Sequence, residues 1–166
     1  VIILLILSLI ILFSYFFYIE LQKKKEIQTS EDYTQATLLF KEKKNDDARQ
    51  LLEKIILTKH KFYSPLALYF IIDNNLEKDS LKIINFYDEI LSIGSINKEN
   101  LNLIKIKKAI YLLNLGKEDL IIKTINPIIN SESVWRHMAI KLISDYFLST
   151  GQRSKANEYI QLLNNK

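Results

Sequence analysis

The chain has 166 residues, a net charge of +4 at neutral pH and a mean hydropathy of +0.01. It contains no cysteine, which excludes disulfides, thiol catalysis and thiolate metal sites. The excess of positive charge is modest and the lysines are interspersed with Asp and Glu, so the composition does not indicate a nucleic-acid partner.

The N-terminal nineteen residues are apolar on every face of a helix. Residues 1–19 hold no charge, Gly or Pro, and fifteen of them are Val, Ile, Leu or Phe. A helix of this length reaches about 28 Å, close to the ~30 Å hydrocarbon thickness of a bilayer. The run ends in aromatic residues and charge rather than in the small residues of a cleavage site. The sequence therefore predicts an uncleaved transmembrane helix at residues 1–19 and a charged connector at residues 20–32.

Residues 33–166 predict an all-α domain. The segment consists of amphipathic stretches at helical spacing, separated by short polar breaks, and it has no strand-like alternation. The predicted helices are 33–44, 46–60, 65–77, 79–93, 98–115, 118–130, 134–150 and 154–164.

Capping residues set the ends of these helices. Side chains that accept a hydrogen bond from the first turn mark the predicted starts, namely Asp46, Ser64 before Pro65, Asn97, and Ser131 or Ser133. Gly94, Gly116 and Gly151 mark predicted ends. Pro127 is expected to kink or shorten the sixth helix.

Spacing within the helix pairs indicates a repeat. Small or apolar residues lie twelve positions apart in three pairs, and the first members of two pairs, Ala109 and Ser144, lie thirty-five apart. That period is near the ~34 residues of a tetratricopeptide unit. The three pairs are Ala36 with Ala48, Ala109 with Ile121, and Ser144 with Ala156. The sequence favours a tetratricopeptide-like α-solenoid of about four helix pairs, and a generic helical bundle is the alternative.

No pattern of catalytic or ligand-binding residues is found. His60 and His137 have no partner at metal-ligand spacing, and three isolated glycines do not form a phosphate-binding loop. The adjacent acidic residues Asp88 and Glu89 diverge by ~100° on a helix, so they do not form a facing pair. We therefore expect no enzyme, cofactor, metal ion or small-molecule substrate.

Aromatic residues are the best candidates for contact with another protein. Tyr69, Tyr111, Trp135 and Tyr146 can line the inner curve of a solenoid, and Arg136 follows the tryptophan directly. The alternative for each of them is a place in the core between repeats. The same alternative applies to the other aromatics at helical spacing, Tyr33, Phe40 and Phe70.

The whole pattern resembles the YfgM-type family, the ancillary subunit of the bacterial SecYEG translocon. The resemblance rests on YTQATLLFKEKKNDDARQLLEKII at 33–56, SPLALYFI at 64–71 and VWRHMAIKLISDYFLSTGQRSKANEYIQLL at 134–163. It implies a single-pass protein of the bacterial inner membrane whose helical repeats lie in the periplasm and bind proteins without catalysis. The implied partners are translocon subunits, periplasmic chaperones and client chains, with the membrane contacted through residues 1–19.

Orientation is the least determined part of this prediction. Lys23, Lys24 and Lys25 follow the apolar run, and the positive-inside rule places such residues in the cytoplasm. The rule compares both flanks, and since the chain begins at Val1 rather than Met, we expect further residues before it. The alternatives to a translocon-associated adaptor are a cytoplasm-facing scaffold and a structural subunit of an envelope assembly complex.

Overall fold

The computed structural model describes the backbone of residues 2–164 and the side chains of residues 7–163. This part of the chain forms helices and contains no strand, which confirms the all-α prediction. The helices are α1 (Ile2–Lys41), α2 (Asn45–Leu57), α3 (Tyr63–Asp73), α4 (Ser80–Leu91), α5 (Lys98–Asn114), α6 (Glu118–Ile129), α7 (Arg136–Ser149) and α8 (Arg153–Asn164).

The chain divides into two compact units. Unit 1 is Val1–Ile90 and holds α1 to α3 with nearly all of α4, and unit 2 is Leu91–Lys166 and holds α5 to α8. In unit 1 the backbone of α2 lies close to both α1 and α3. In unit 2 each helix lies close to the next one along the chain.

The first half of α1 does not support the predicted transmembrane helix. Among the described residues, no helix is both long enough and apolar enough to cross a bilayer. Residues 7–19 extend only about 20 Å before the charge of Glu20, against a hydrocarbon thickness of ~30 Å. The part of the prediction that rested on residues 1–6 lies outside the described side chains. The prediction of a single-pass inner-membrane protein is therefore wrong for the described residues, and the transmembrane anchor is unconfirmed.

The second half of α1 packs against unit 1. The helix runs without a break through the predicted connector at 20–32, and Thr29 and Asp32 of that segment are buried. Asp32 lies 3.5 Å from the Lys54 ammonium of α2. In the predicted pair, Ala36 of α1 matches Ala48 of α2. Asp32 comes before Ala36 and Lys54 comes after Ala48, so the contact between Asp32 and Lys54 shows that the two helices run antiparallel. The packed part of α1 therefore begins inside the segment predicted to be a connector.

Left-handed residues end the helices that turn into hairpins. Gly116 and Gly151 have φ of 62° and 77°, as predicted for helix ends, and Lys43 holds the equivalent position after α1 with φ of 62°. In each turn the next amide N–H donates back five residues: Lys44 to Leu39, Lys117 to Leu112, and Gln152 to Phe147. The shared geometry makes these three positions structurally equivalent.

The small-residue spacing is also confirmed. Ala36, Ala48, Ala109, Ile121 and Ala156 are fully buried, and Ser144 is nearly so. Small side chains let the axes of paired helices approach closely, and the larger neighbours Leu52 and Ile125, both fully buried, fill the adjoining groove.

The predicted helix starts are only partly correct. Asn97 accepts a hydrogen bond from the Asn100 amide at 2.9 Å and caps α5 as predicted. Ser64, in contrast, lies inside α3, and its hydroxyl donates to the Ile55 carbonyl instead of capping a helix. Lys44, rather than Asp46, holds the N-cap position of α2. Pro127 lies in the last turn of α6, which continues to Ile129.

Candidate protein-binding face

A buried serine joins the N-terminal ends of α5 and α7 in unit 2. The Ser133 hydroxyl donates a 2.6 Å hydrogen bond to the Glu99 carboxylate and accepts one of 3.0 Å from the Asn102 amide. The same carboxylate accepts the backbone N–H of Val134 at 3.2 Å. Since α6 connects the two helices through short turns, α5 and α7 run side by side in the same direction.

The thirty-five-residue repeat gives α5 and α7 matching surface residues. Leu103, Lys107 and Tyr111 on α5 correspond to Met138, Leu142 and Tyr146 on α7. Within each set the spacing is i, i+4, i+8, which places the three side chains within about 80° on one side of the helix. Trp135 lies one turn before Met138 on the same side. We refer to Leu103, Lys107, Tyr111, Trp135, Met138, Leu142 and Tyr146 as the α5/α7 face.

The α5/α7 face is accessible and mostly apolar. Met138 is 46% exposed, Lys107 is exposed, and the other five residues are half-buried. The opposite sides of the two helices form the core of the unit, with Ala109, Leu112, Ile140, Ile143 and Phe147 fully buried. The face therefore presents large side chains whose inner parts are packed and whose outer parts reach the protein surface.

Contacts inside unit 2 hold Tyr146 in place. Its ring lies 5.6 Å from that of Phe147, and its hydroxyl is close enough to the carboxylate of Glu118 on α6 to help lower the pKa of that group. A hydrogen bond from Lys155 is the largest of several interactions that lower the pKa of Glu118, so this carboxylate remains charged at neutral pH. A fixed tyrosine loses little conformational freedom when a partner binds.

Three of the five predicted binding residues lie on this face. Tyr111, Trp135 and Tyr146 are brought to one side of unit 2. Arg136 is not, because its guanidinium donates at 3.0 Å to the carbonyls of Ile129 and Leu162 and so joins the ends of α6 and α8. Tyr69 lies in unit 1, where burial raises its pKa to about 12.

The other aromatics predicted at helical spacing pack against one another in unit 1. The Phe70 ring lies 6.3 Å from Tyr33 and 5.3 Å from Phe40, both nearly perpendicular to it. This edge-to-face geometry is typical of a core between helices. For these three residues the core alternative is therefore the better description.

Sequence reasoning missed the aliphatic members of the face. Leu103, Met138 and Leu142 were not singled out, although their spacing from Tyr111, Trp135 and Tyr146 is helical. The thirty-five-residue period could have identified them, because it makes Leu103 equivalent to Met138 and Tyr111 equivalent to Tyr146. Aliphatic residues at helical spacing are common in cores, so the register alone did not separate surface from interior.

The chemistry of the face suits contact with apolar groups. In the part of the chain that the structure describes, no group of three or more His, Asp or Glu residues is placed to hold a metal ion. The face offers two tyrosines, one tryptophan and one methionine, which are residue types enriched in the centres of protein interfaces.

Comparisons with family models, curated proteins and solved structures give no match to this chain. The resemblance to the YfgM-type family therefore stays a prediction.

Proposed function

We propose that this chain is a non-catalytic protein-binding adaptor whose α5/α7 face binds an apolar segment of another protein. The observation that carries the proposal is the matching register of Tyr111 and Tyr146, with Trp135 and Met138 beside them on one accessible side of unit 2.

The residue types on the α5/α7 face are suited to binding another protein. Trp and Tyr supply a large contact area with few rotatable bonds, and Met adapts its shape to irregular apolar surfaces. Three aromatics on one side of two neighbouring helices resemble the anchors that carry most of the energy of an interface.

We further propose that the helices are degenerate tetratricopeptide-like repeats. Support comes from the thirty-five-residue period, the shared left-handed turns at Lys43, Gly116 and Gly151, and the buried small residues where paired helices cross. Stacked repeats form extended surfaces that bind partners, and α5 and α7 are neighbouring helices from two successive pairs.

The resemblance supplies the first partners to test, which are translocon subunits, chaperones that act on secreted chains, and the client chains themselves. A membrane span is not part of this proposal. Individual contacts of a repeat protein are often weak and gain strength when several act together, so moderate affinity for a single peptide is expected.

Trp135 makes the test direct, because it is the only tryptophan in the chain. The full-length protein is titrated with purified candidate partners and with apolar peptides selected from a displayed library, and its fluorescence is followed. Binding at the face should shift the emission to shorter wavelength with saturation. The variant Tyr146→Ala keeps the tryptophan, and losing one anchor of about 2 kcal/mol should weaken binding roughly thirty-fold.

Lys141→Ala is the matched control. Lys141 is an exposed residue of α7 on another side of the helix, where it pairs with Asp145 at 2.8 Å. It should leave the affinity within about two-fold of the wild type, as a surface ion pair contributes little. Equal effects of the two variants, or no saturable signal with any partner or peptide, would reject the α5/α7 face as the binding site.

A further inference from the structure

The two units repeat one arrangement of four helices at an offset of seventy-three residues. This offset converts the bounds of α4, Ser80–Leu91, into those of α8, Arg153–Asn164. It also relates the starts of α2 and α6, the starts of α3 and α7, and the ends of α1 and α5. The left-handed residues Lys43 and Gly116 follow the same offset. Each unit is therefore a version of the same four-helix segment.

Side chains at equivalent positions also agree between the two units. Leu52 of α2 and Ile125 of α6 are both fully buried. Phe62 and Trp135 both hold an N-cap position, one before α3 and the other before α7. Because backbone and core agree, the offset identifies the residues of unit 1 that are equivalent to the α5/α7 face of unit 2.

Most of these equivalent residues reach the surface of unit 1. Phe62 is 60% exposed and Leu38 is 51% exposed, at the positions that Trp135 and Tyr111 hold in unit 2. Most of each of these two side chains therefore lies outside the core. Pro65, the equivalent of Met138, is buried. We refer to the remaining residues as the α1/α3 face, which consists of Ser30, Thr34, Leu38, Phe62, Tyr69 and Asp73.

A hydrogen bond joins the two helices of the α1/α3 face beside Phe62. The Tyr63 hydroxyl of α3 donates to the Ser30 hydroxyl of α1 at 2.8 Å. The Phe62 ring lies 5.1 Å from the Tyr63 ring and is nearly perpendicular to it. These two contacts hold Phe62 near α1, and an aromatic ring that is already held loses little conformational freedom when a partner binds.

The two faces differ in the sign of their charge. Thr34 stands where the α5/α7 face has Lys107, and Asp73 stands where it has Tyr146. The α5/α7 face therefore carries one positive charge and the α1/α3 face one negative charge. The units differ in the same sense, since unit 1 has twelve Lys and Arg against thirteen Asp and Glu, and unit 2 has eleven against six.

Asp73 lies where a carboxylate is unfavourable. It is the last residue of α3 and is exposed, so its charge adjoins the partial negative charge of the terminal carbonyls of the helix. Within the described residues, no Lys or Arg forms an ion pair with Asp73, and this includes Lys41 in the last turn of α1. A cation supplied by another molecule would offset this repulsion.

We propose that the α1/α3 face is a second binding site, which takes a segment of another protein that carries apolar side chains and a Lys or Arg. Phe62 and Leu38 contact the apolar side chains, and Asp73 pairs with the cation. The proposal rests on the proposed function of the α5/α7 face and extends it to unit 1 with the opposite charge preference. One chain then presents two sites for different segments, and a partner that holds both segments binds more tightly because the sites are connected.

Moving the single tryptophan tests this site in the full-length chain. In the double variant Phe62→Trp, Trp135→Phe, tryptophan fluorescence reports only on the α1/α3 face. The probes are two synthetic peptides with the same sequence of Leu, Ala and Ser, one with a single Lys and the other with Glu in its place. The Lys peptide should shift the emission to shorter wavelength with saturation. It should bind about five-fold more tightly than the Glu peptide, the upper range for a partly exposed ion pair.

Two further changes in this double variant separate the charge from the apolar contact. Asp73→Asn should bring the affinities of the two peptides within about two-fold of each other. Leu38→Ala should weaken both peptides by about five-fold, since it removes one apolar anchor. Both side chains are exposed, so neither change disturbs the core. Asp47→Asn, at an exposed carboxylate in the first turn of α2, is the matched control and should leave the preference unchanged.

The results distinguish this proposal from the proposed function of the α5/α7 face. Three outcomes would overturn it, even where Trp135 of the wild type reports binding: no saturable shift in the double variant, equal affinities for the two peptides, or a preference that survives in Asp73→Asn. Conversely, a shift in the double variant with no signal from Trp135 in the wild type would support the α1/α3 face and count against the α5/α7 face.

Discussion

The Ser133 hydroxyl before α7 donates a 2.6 Å hydrogen bond to the Glu99 carboxylate of α5. This contact joins residues that are thirty-four positions apart, and it sets how the two helices that carry the α5/α7 face lie against each other. Glu99 also accepts from the Val134 amide, so one carboxylate satisfies both the side chain and the backbone at the start of α7.

Replacing Ser133 by alanine should therefore destabilise unit 2. Glu99 loses its shortest hydrogen bond and the buried Asn102 amide loses its acceptor, at a cost of about 1–3 kcal/mol in the free energy of unfolding. Urea denaturation measures the change. Ser149→Ala is the control, because that exposed hydroxyl bonds only a carbonyl of its own helix, and its effect should stay within about 0.5 kcal/mol. Equal losses would show that the Ser133 network does not contribute.

Lys43 occupies a left-handed position that glycine holds in the two equivalent turns, so Lys43→Gly should stabilise the chain. A residue with a Cβ is strained by roughly 1–2 kcal/mol in this conformation, and the added flexibility of glycine offsets part of the gain. We expect the free energy of unfolding to rise by about 0.5–1 kcal/mol. Lys41→Gly, two residues earlier inside the last turn of α1, should instead lower it by about 1 kcal/mol. The same sign for both variants would contradict the assigned turn geometry.

Glu77 should make unit 1 sensitive to strong acid. A hydrogen bond from the Asp79 amide, followed by one from Lys82, lowers the pKa of Glu77 from 4.5 to about 2. Because the pKa in the folded state is lower than in the unfolded state, the carboxylate stabilises the fold above about pH 4.5. That contribution is lost as the pH falls from there towards 2.

The variant Glu77→Gln removes this dependence. Its free energy of unfolding should be lower than the wild-type value by about 1.5–3 kcal/mol at pH 7, the range for hydrogen bonds to a charged group, and the difference should shrink as the pH approaches 2. Glu42→Gln is the matched control, since Glu42 forms an exposed pair with Lys44 and should change stability little. A constant difference between Glu77→Gln and wild type across this range would refute the assignment.

Arg136 should act on stability rather than on partner affinity. Its two hydrogen bonds to the Ile129 and Leu162 carbonyls hold the C-terminal ends of α6 and α8, so Arg136→Met should cost about 1–3 kcal/mol and raise amide exchange most strongly in α8. Arg153→Met, at an exposed position in the first turn of α8, serves as the control. If Arg136→Met leaves α8 protected but weakens binding of a partner, the residue belongs to the binding site after all.

Local signals predicted the helices well and their exact starts less well. Asn97, Gly116 and Gly151 act as predicted because capping and left-handed turns depend on residues within one turn of the chain. Ser64 failed as a cap because the Ile55 carbonyl of the preceding helix competes for its hydroxyl. At the start of α3 the Nδ1 atom of His60 instead accepts hydrogen bonds from the Phe62 and Tyr63 amides, and no local rule favours histidine there.

The sequence also predicted only part of the candidate binding site, namely three of the five residues proposed to contact a partner. Tyr111 and Tyr146 lie on one face because the repeat places them at corresponding positions, and Trp135 joins them through its helical spacing from Met138, so this was partly readable from the sequence. The separation of Arg136 and Tyr69 from that face was not readable. It depends on carbonyl groups at Ile129 and Leu162 and on the division of the chain into two units, which are features of packing.

The sequence by itself determined that this chain is helical, where most hairpins turn, and which small residues lie between paired helices. Periodicity, glycine and capping act over a few residues, so they leave a direct trace in the order of amino acids. Only the tertiary structure decided that α1 packs from Thr29 onward, that Ser133 joins α5 to α7, and that an imidazole caps α3. Each of these depends on groups from different helices meeting in space, and the competition among possible hydrogen-bond partners is settled only when the helices pack.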